Sequence, residues 1–130
     1  MGLIKRIAPL ALAAFLVSGS DVEAKAIDIK SVTVESSAVF EGNRDIKEYV
    51  EACSDTKLTN SQVLKWFKVA HEEPGEGFHE RATILNCVFH GHLKTKDGRS
   101  YAWRLDIGGA GYVFLSDKVN DVIHFRGPQL

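Results

Sequence analysis

The chain has few cysteines, no excess of positive charge and no long apolar run. Its 16 basic residues are outnumbered by 17 acidic ones, so it lacks the positive charge that follows a phosphate backbone, and nucleic acid is not an expected partner. The longest apolar stretch, residues 7–17, is much shorter than the ~20 residues that a membrane-spanning helix needs. The sequence also contains no Walker, HExxH or nucleophile-elbow pattern, and these are common signatures of nucleotide-binding and hydrolytic enzymes.

The first 26 residues have the pattern of a cleavable signal peptide. Lys5 and Arg6 precede the apolar run, and small residues then lead to an A-x-A pattern at residues 24–26. Residues 22–24 form a second acceptable cleavage site. No cysteine stands nearby to carry a lipid, so we expect no membrane anchor. These features predict removal of residues 1–26 and a single domain over residues 27–130, either periplasmic or secreted.

Two cysteines, Cys53 and Cys87, lie in the part of the chain that would be exported. An oxidising compartment allows them one intramolecular pairing, and closing a loop of about 34 residues would stabilise the fold by roughly 3–4 kcal/mol. We therefore predict a Cys53–Cys87 disulfide, with two separate buried thiols as the alternative. Removing the three basic and two acidic residues of the leader leaves 13 basic and 15 acidic residues, a net charge of −2.

Periodic apolar residues predict two helices. In the first, Asn43 is the expected N-cap, and residues 46, 49, 50 and 53 form one apolar stripe that places Cys53 on the core side. In the second, Thr59-Asn60-Ser61-Gln62 matches a capping box. Its apolar stripe consists of Val63, Trp66, Phe67 and Ala70. His71 is expected in the last turn, and Pro74-Gly75 ends the helix before a polar loop over residues 72–80.

From residue 81 onward the sequence alternates with a period of two, which is typical of strands. The predicted strands are Thr83–Thr95, Ser100–Ile107, Tyr112–Ser116 and Val122–Arg126. Residues 29–34 are rich in β-branched side chains and are a candidate first strand. Helices followed by a meander predict an α+β fold, with two helices on one face of an antiparallel sheet of about four strands.

The turn at Asp97-Gly98 decides the register of the central hairpin. A two-residue turn would mix charged and apolar side chains on one face, whereas a three-residue loop with a left-handed Gly98 separates the two faces. We therefore predict the bulged turn. It places Gly91 opposite Trp103, where the indole can lie over the glycine, and it directs Cys87 inward.

The same register places His90 and His92 on one strand face, where two imidazoles can bind a metal ion if a third ligand such as Asp106 joins them. Arg104 faces His90, however, and its charge would oppose a cation. His124 lies three strands away in a simple meander, about 14 Å at ~4.8 Å per strand. We keep a metal site at His90, His92 and Asp106 only as a weak alternative.

Two further segments have structural interpretations. Gly108-Gly109-Ala110-Gly111 leads into a strand rather than a helix, so we interpret it as a turn and not as a phosphate-binding loop. The strand Tyr112–Leu115 is apolar on both faces. Either another part of the chain covers its second face, for example the N-terminal segment, or Val88, Val113 and Leu115 form an exposed patch.

The distribution of cysteines, turn glycines and apolar residues resembles that of a recurring group of small exported bacterial proteins to which no function is assigned. The resemblance covers about residues 53–125. It is carried by Cys53, Leu58-Thr59, Val63, Phe67, Ala70, His79, Cys87, Gly91-x-Leu93, Asp97-Gly98, Tyr101-x-Trp103 and Gly108-Gly109-x-Gly111. These are structural motifs, so the resemblance implies export and fold but transfers no catalytic residue.

Export, small size and the absence of a catalytic constellation favour a non-enzymatic protein-binding module that uses no cofactor. The expected partner is another exported protein, and one form of this hypothesis is an inhibitor or immunity-type protein against an exported toxin or wall-cleaving enzyme. The predicted contact face consists of Val88, His90, His92, Arg104 and Asp106. The alternatives are a protein that binds a metal or small ligand through His90 and His92, and an enzyme of unknown class.

Overall fold

A seven-stranded antiparallel sheet dominates the part of the chain that the structure, a computed structural model, describes, which is residues 26–130. The predicted signal peptide lies outside the described residues, apart from Ala26. Within residues 26–130, three helices and one disulfide accompany the sheet, so the fold of this part is α+β. None of the described helices is long and apolar enough to cross a membrane.

The strands are β1 (Ile29–Val34), β2 (Val39–Phe40), β3 (His71–Glu73), β4 (Cys87–Thr95), β5 (Ser100–Asp106), β6 (Ala110–Phe114) and β7 (Val122–Arg126). The helices are α1 (Lys47–Ser54), α2 (Asn60–Val69) and α3 (Phe78–Arg81). The order in the sheet is β1-β4-β5-β6-β7-β3, and β2 pairs with β4 beside β1. The consecutive strands β4 to β7 thus form the predicted meander, and β1, β2 and β3 extend it.

The prediction of about four strands was therefore too low. β1 is the candidate strand at residues 29–34, but the two-residue β2 and the three-residue β3 were not predicted. His71 was expected in the last turn of a helix. Instead, α2 ends at Val69, Ala70 takes an extended backbone, and His71 pairs with Arg126 at the edge of the sheet. Pairing with β7 thus determines the structure of this segment.

The start of α1 also differs from the prediction. Its N-cap residue is Ile46, with no side-chain capping bond, so Asn43 is not the cap. The Asn43 side chain instead accepts a hydrogen bond from the Asp45 amide at 3.0 Å, and its carbonyl accepts one from Ile46. Both hydrogen-bond acceptors of Asn43 are therefore engaged in a local turn before the helix begins, and its side chain does not cap α1.

The start of α2 has the predicted capping box, with reciprocal hydrogen bonds between Thr59 and Gln62. The Phe67 ring of this helix lies 6.1 Å from Trp103 and 5.3 Å from Phe125, centroid to centroid. Trp66 packs where a side chain at Gly111 would otherwise stand. The core therefore forms where one aromatic face of α2 meets the small and aromatic residues of the meander.

The predicted hairpin register is confirmed. Gly91 pairs with Trp103, and Gly98 has a φ of +91° in the loop after β4. A Cβ atom at position 91 would lie 1.9 Å from the carbonyl oxygen of Thr33 and 2.6 Å from the Trp103 ring. Glycine is therefore required at this position because β1 and the indole both approach its backbone.

Part of the second face of the meander, at β6 and β7, is covered from within the chain. Phe78 of α3 is fully buried, and its ring lies 5.7 Å from Tyr112 and 4.9 Å from His124. Among the described residues, α3 thus provides cover for Tyr112 and His124 on this face. Val88 is buried, and Val113 packs in the core on the other face, so these two residues do not form the exposed patch considered from the sequence.

Candidate functional site

An open and largely apolar groove of about 500 Å³ lies beside the disulfide. Its lining includes Phe40, Ile46, Tyr49, Ile84, Leu85 and Ile107. α1 supplies one side of the groove, and the segment before β4 supplies the other. Tyr49 is 58% exposed and Leu85 is 40% exposed, so apolar surface is accessible to solvent on both sides.

The disulfide ties the two sides together. Cys53 of α1 and Cys87 at the start of β4 are bonded, with their Cα atoms 5.5 Å apart, which confirms the predicted pairing. Both cysteines are buried with Phe40 in a small cluster separate from the main core. Since Cys53 is the buried residue of α1, this bond holds the helix at the position where it borders the groove.

A buried carboxylate shapes the opposite side. Asp106 is 2% exposed, and its oxygens accept hydrogen bonds from the amides of Leu85, Asn86 and Gly108 at 2.9, 2.7 and 2.8 Å. Asn86 has a φ of +64°, a left-handed backbone that few residues other than glycine and asparagine adopt readily. Asp106 therefore holds residues 85 and 86 in the conformation that presents Leu85 to the groove.

The chemistry of the lining favours binding of apolar groups. Among the described residues that line the groove there is no carboxylate, imidazole, amine or guanidinium group. The two lining cysteines are joined in the disulfide. Hydrogen-bonding side chains are supplied by Asn43, Tyr49, Thr56 and Asn86. The groove can thus bury an apolar group and fix its orientation with a few polar contacts.

An ion pair stands beside the groove. Glu41, between the lining residues Phe40 and Gly42, accepts hydrogen bonds from Arg104, one of them at 2.9 Å. This hydrogen bond lowers the pKa of Glu41, and partial burial of the carboxyl opposes the effect. Arg104 also lies 3.5 Å from Nε2 of His90. The pair therefore links the groove to the sheet face that carries the histidines.

The residues of the predicted contact face do not share one environment. Val88 and Asp106 are buried and offer almost no surface to a partner, whereas His90, His92 and Arg104 keep accessible side chains. Nδ1 of His92 lies 2.7 Å from Glu35, and the Asp106 oxygens are bonded to backbone amides. Within residues 26–130, no group of three or more His, Cys, Asp or Glu side chains could hold a metal ion.

The sequence pattern does not predict the groove. Tyr49 belongs to an apolar helical stripe, which favours a buried position, and the strand predicted from residue 83 begins only at Cys87 in the structure. The one sequence signal that joins the two sides is the pair of cysteines. That signal predicts a covalent link between two segments, but it does not predict a groove between them.

A separate cluster of rings surrounds His124, which lies three strands from His90 as predicted. The rings of Tyr112 and Phe78 lie 5.5 and 4.9 Å from the imidazole. Burial lowers the pKa of His124, and electrostatic interaction with His79 and Arg81 lowers it further. The folded protein therefore favours the neutral imidazole at this position.

We expect this lowered pKa to make the fold sensitive to mild acid. The unfolded state binds the proton more readily, so the contribution of His124 to stability is present above pH ~6.5 and is lost as the pH falls below that value. The pKa of Glu41 and that of Glu73 are also lowered, but carboxyls titrate at lower pH. Urea unfolding should show that the free energy of unfolding decreases less between pH 8 and pH 5 in His124→Gln than in the wild type. His71→Gln, at an exposed position, is the control and should behave like the wild type. The same pH dependence in both variants would contradict the expectation.

No family model matches the chain, and no match is found among the curated proteins or the solved structures. The chemistry of the groove and its rim is therefore the basis for a functional proposal.

Proposed function

We propose that the protein is a small exported binding module without catalytic chemistry of its own, and that it holds an apolar part of another exported protein in its groove. The observation that carries this proposal is the open apolar groove of about 500 Å³ between two fixed sides. A groove whose sides are already held by a disulfide and a buried carboxylate loses little conformational entropy on binding.

The anatomy of the region supports a protein partner. Protein interfaces combine an apolar centre with a polar rim, and aromatic anchors contribute much of the binding energy. Here Tyr49 and Leu85 are large exposed apolar residues of the groove lining, and the Glu41–Arg104 pair lies at the rim. This rim continues into the accessible part of the predicted contact face, His90 and His92. The arrangement fits an inhibitor or immunity-type protein facing an exported toxin or wall-cleaving enzyme.

The predicted arrangement of two helices on one sheet face is part of this proposal. Cys53 of α1 is bonded to Cys87, and Phe67 of α2 packs against Trp103. Cys87 and Gly91 alternate inward along β4, and Gly91 faces Trp103, so both helices meet side chains of the same face. α1 lies at the end of this face where β4 begins, and the groove is located there, next to the main core rather than within it.

The experiment is site-specific photo-cross-linking in bacterial cells that produce the full chain. A benzoyl-phenylalanine at position 52, which lines the groove on α1, should give a discrete adduct with one partner protein. The same residue at position 47 of α1 is the matched control and should not give that adduct. Ala52→Trp, which fills the groove from an exposed position, should remove the partner from gentle purifications, whereas Lys47→Trp should retain it.

Two outcomes would contradict the proposal. Equal adducts from positions 47 and 52 would show that the groove is not the contact surface. Native mass spectrometry of protein purified from the cells could instead show an apolar small molecule bound to the chain. Its loss in Ala52→Trp would identify a small-molecule carrier rather than a protein-binding module.

A further inference from the structure

We infer that the segment bound in the groove carries positive charge beside its apolar anchor. This inference rests on the proposed function and specifies the chemistry of the partner. It is carried by the charges that border α1, since the groove lining itself contains no ionised group among the described residues. The charged residues that border the groove therefore determine which apolar segments are attracted to it.

The segment that forms the α1 side has a small excess of negative charge. Residues 42–57 contain four acidic and three basic side chains, a net charge of −1. The acidic residues are Asp45, Glu48, Glu51 and Asp55, and the basic ones are Arg44, Lys47 and Lys57. The positions of these charges relative to the groove therefore decide which charge a bound segment meets.

Helical spacing places two of these carboxylates on the same side of α1 as a residue of the groove lining. Glu48 and Ala52 lie four residues apart in α1, and Asp55, the C-cap residue with a helical backbone, follows Ala52 by three residues. Ala52 lines the groove, and Glu48 and Asp55 are exposed. Neither carboxylate has an ion-pair partner within 4.0 Å among residues 26–130. Both are therefore available to a cationic partner.

The nearby basic residues do not cancel this charge at the groove. Arg44 donates to the Phe40 carbonyl and lines a different depression with Val50 and Ser54. Lys47 lies five positions before Ala52, about 140° around the helix. Lys57 is exposed in the coil after Thr56 and forms no ion pair within 4.0 Å with a carboxylate among the described residues. On the opposite rim, Glu41 is already paired with Arg104. The uncompensated charge therefore lies along the α1 side.

Exposed carboxylates of this kind mainly increase the rate at which an oppositely charged segment associates. Each exposed pair contributes little affinity, but several aligned charges steer an oppositely charged segment, and salt screens the effect. We therefore expect an apolar segment flanked by lysine or arginine to bind about tenfold more tightly at low salt than the same segment flanked by glutamine.

Two seven-residue peptides test this inference by fluorescence anisotropy with protein purified after expression of the full chain. Both contain a central Leu-Trp-Leu, flanked on each side by two lysines in one peptide and by two glutamines in the other. The lysine peptide should bind about tenfold more tightly, and Glu48→Gln/Asp55→Asn should reduce the ratio to about one. Glu76→Gln/Asp117→Asn removes the same net charge at exposed positions elsewhere and should leave the ratio unchanged.

The possible results separate the two proposals. If both peptides bind the wild type equally and Ala52→Trp prevents binding, the groove is a binding site but the charge inference is wrong. If Ala52→Trp binds the lysine peptide as the wild type does, the peptide lies elsewhere and the inference is overturned. If neither peptide binds, the inference is also overturned, and photo-cross-linking at position 52 then decides the proposed function on its own.

Discussion

Asp106→Asn should lower the free energy of unfolding by about 3 kcal/mol or more, because a buried carboxylate accepts three backbone hydrogen bonds at this position. Hydrogen bonds to a charged acceptor contribute about 1.5–3 kcal/mol each, and a buried donor without a partner costs about 1–3 kcal/mol. Asparagine retains one oxygen but directs an NH₂ group at amides that need an acceptor. Asp106 is 2% exposed, so water cannot readily replace the lost bonds.

Urea unfolding of Asp106→Asn and of the exposed Asp117→Asn measures this effect, and Asp117→Asn should change stability by less than about 0.5 kcal/mol. Amide hydrogen exchange localises the effect, since Leu85 and Asn86 should lose protection more than residues of α2. Equal stability of the two variants would show that the carboxylate is not important for the fold. The test also separates a structural role of Asp106 from the contact role that the sequence suggested.

The central meander could be predicted because its sequence pattern and its packing agree. Alternation of apolar and polar residues separates the two faces in only one hairpin register. In the structure Gly91 pairs with Trp103, and no residue larger than glycine fits at position 91. The capping box at Thr59 likewise fixes the start of α2 through purely local hydrogen bonds. Local geometry and strict periodicity are the two kinds of information that a single sequence expresses directly.

The remaining features depend on contacts between distant residues. β2 and β3 are two and three residues long, too short to show a period, and they form because the edges of β4 and β7 are available for pairing. Phe78 lies in a segment with the composition of a polar loop, yet it covers part of the second face of the sheet. The role of Asp106 as a hydrogen-bond acceptor could not be predicted from the sequence either, since two of its three partners lie 20 and 21 residues before it and the third lies two residues after it.

The candidate site shows the same division. The disulfide that joins its two sides was predicted from two cysteines in an exported chain, and the structure contains it. The groove between those sides requires Tyr49 to remain exposed, although its helical position suggested burial. An apolar stripe predicts which residues face the same direction, but it does not tell whether the neighbouring element fills the space in front of them.

Removal of the disulfide is expected to have the second large effect. The double variant Cys53→Ala/Cys87→Ala should lose roughly 3–4 kcal/mol, because the bond closes a loop of 34 residues and restricts the unfolded chain. This loss is a large fraction of the 5–15 kcal/mol typical of a small domain. Both cysteines are replaced together so that no buried free thiol remains. Reduction of the wild type should give a similar loss, and unchanged stability after reduction would contradict the loop-closure argument.

The same variant should damage the groove more than the core. Cys53 is the buried residue of α1, whereas α2 buries Val63, Trp66 and Phe67, so α1 depends on the disulfide for its position far more than α2 does. Amide exchange in α1 should therefore increase under conditions where α2 remains protected. The variant should also lose the photo-cross-link at position 52 while it is still folded. If α1 keeps its protection and the cross-link persists, other contacts fix the helix, and the disulfide stabilises the chain without shaping its binding surface.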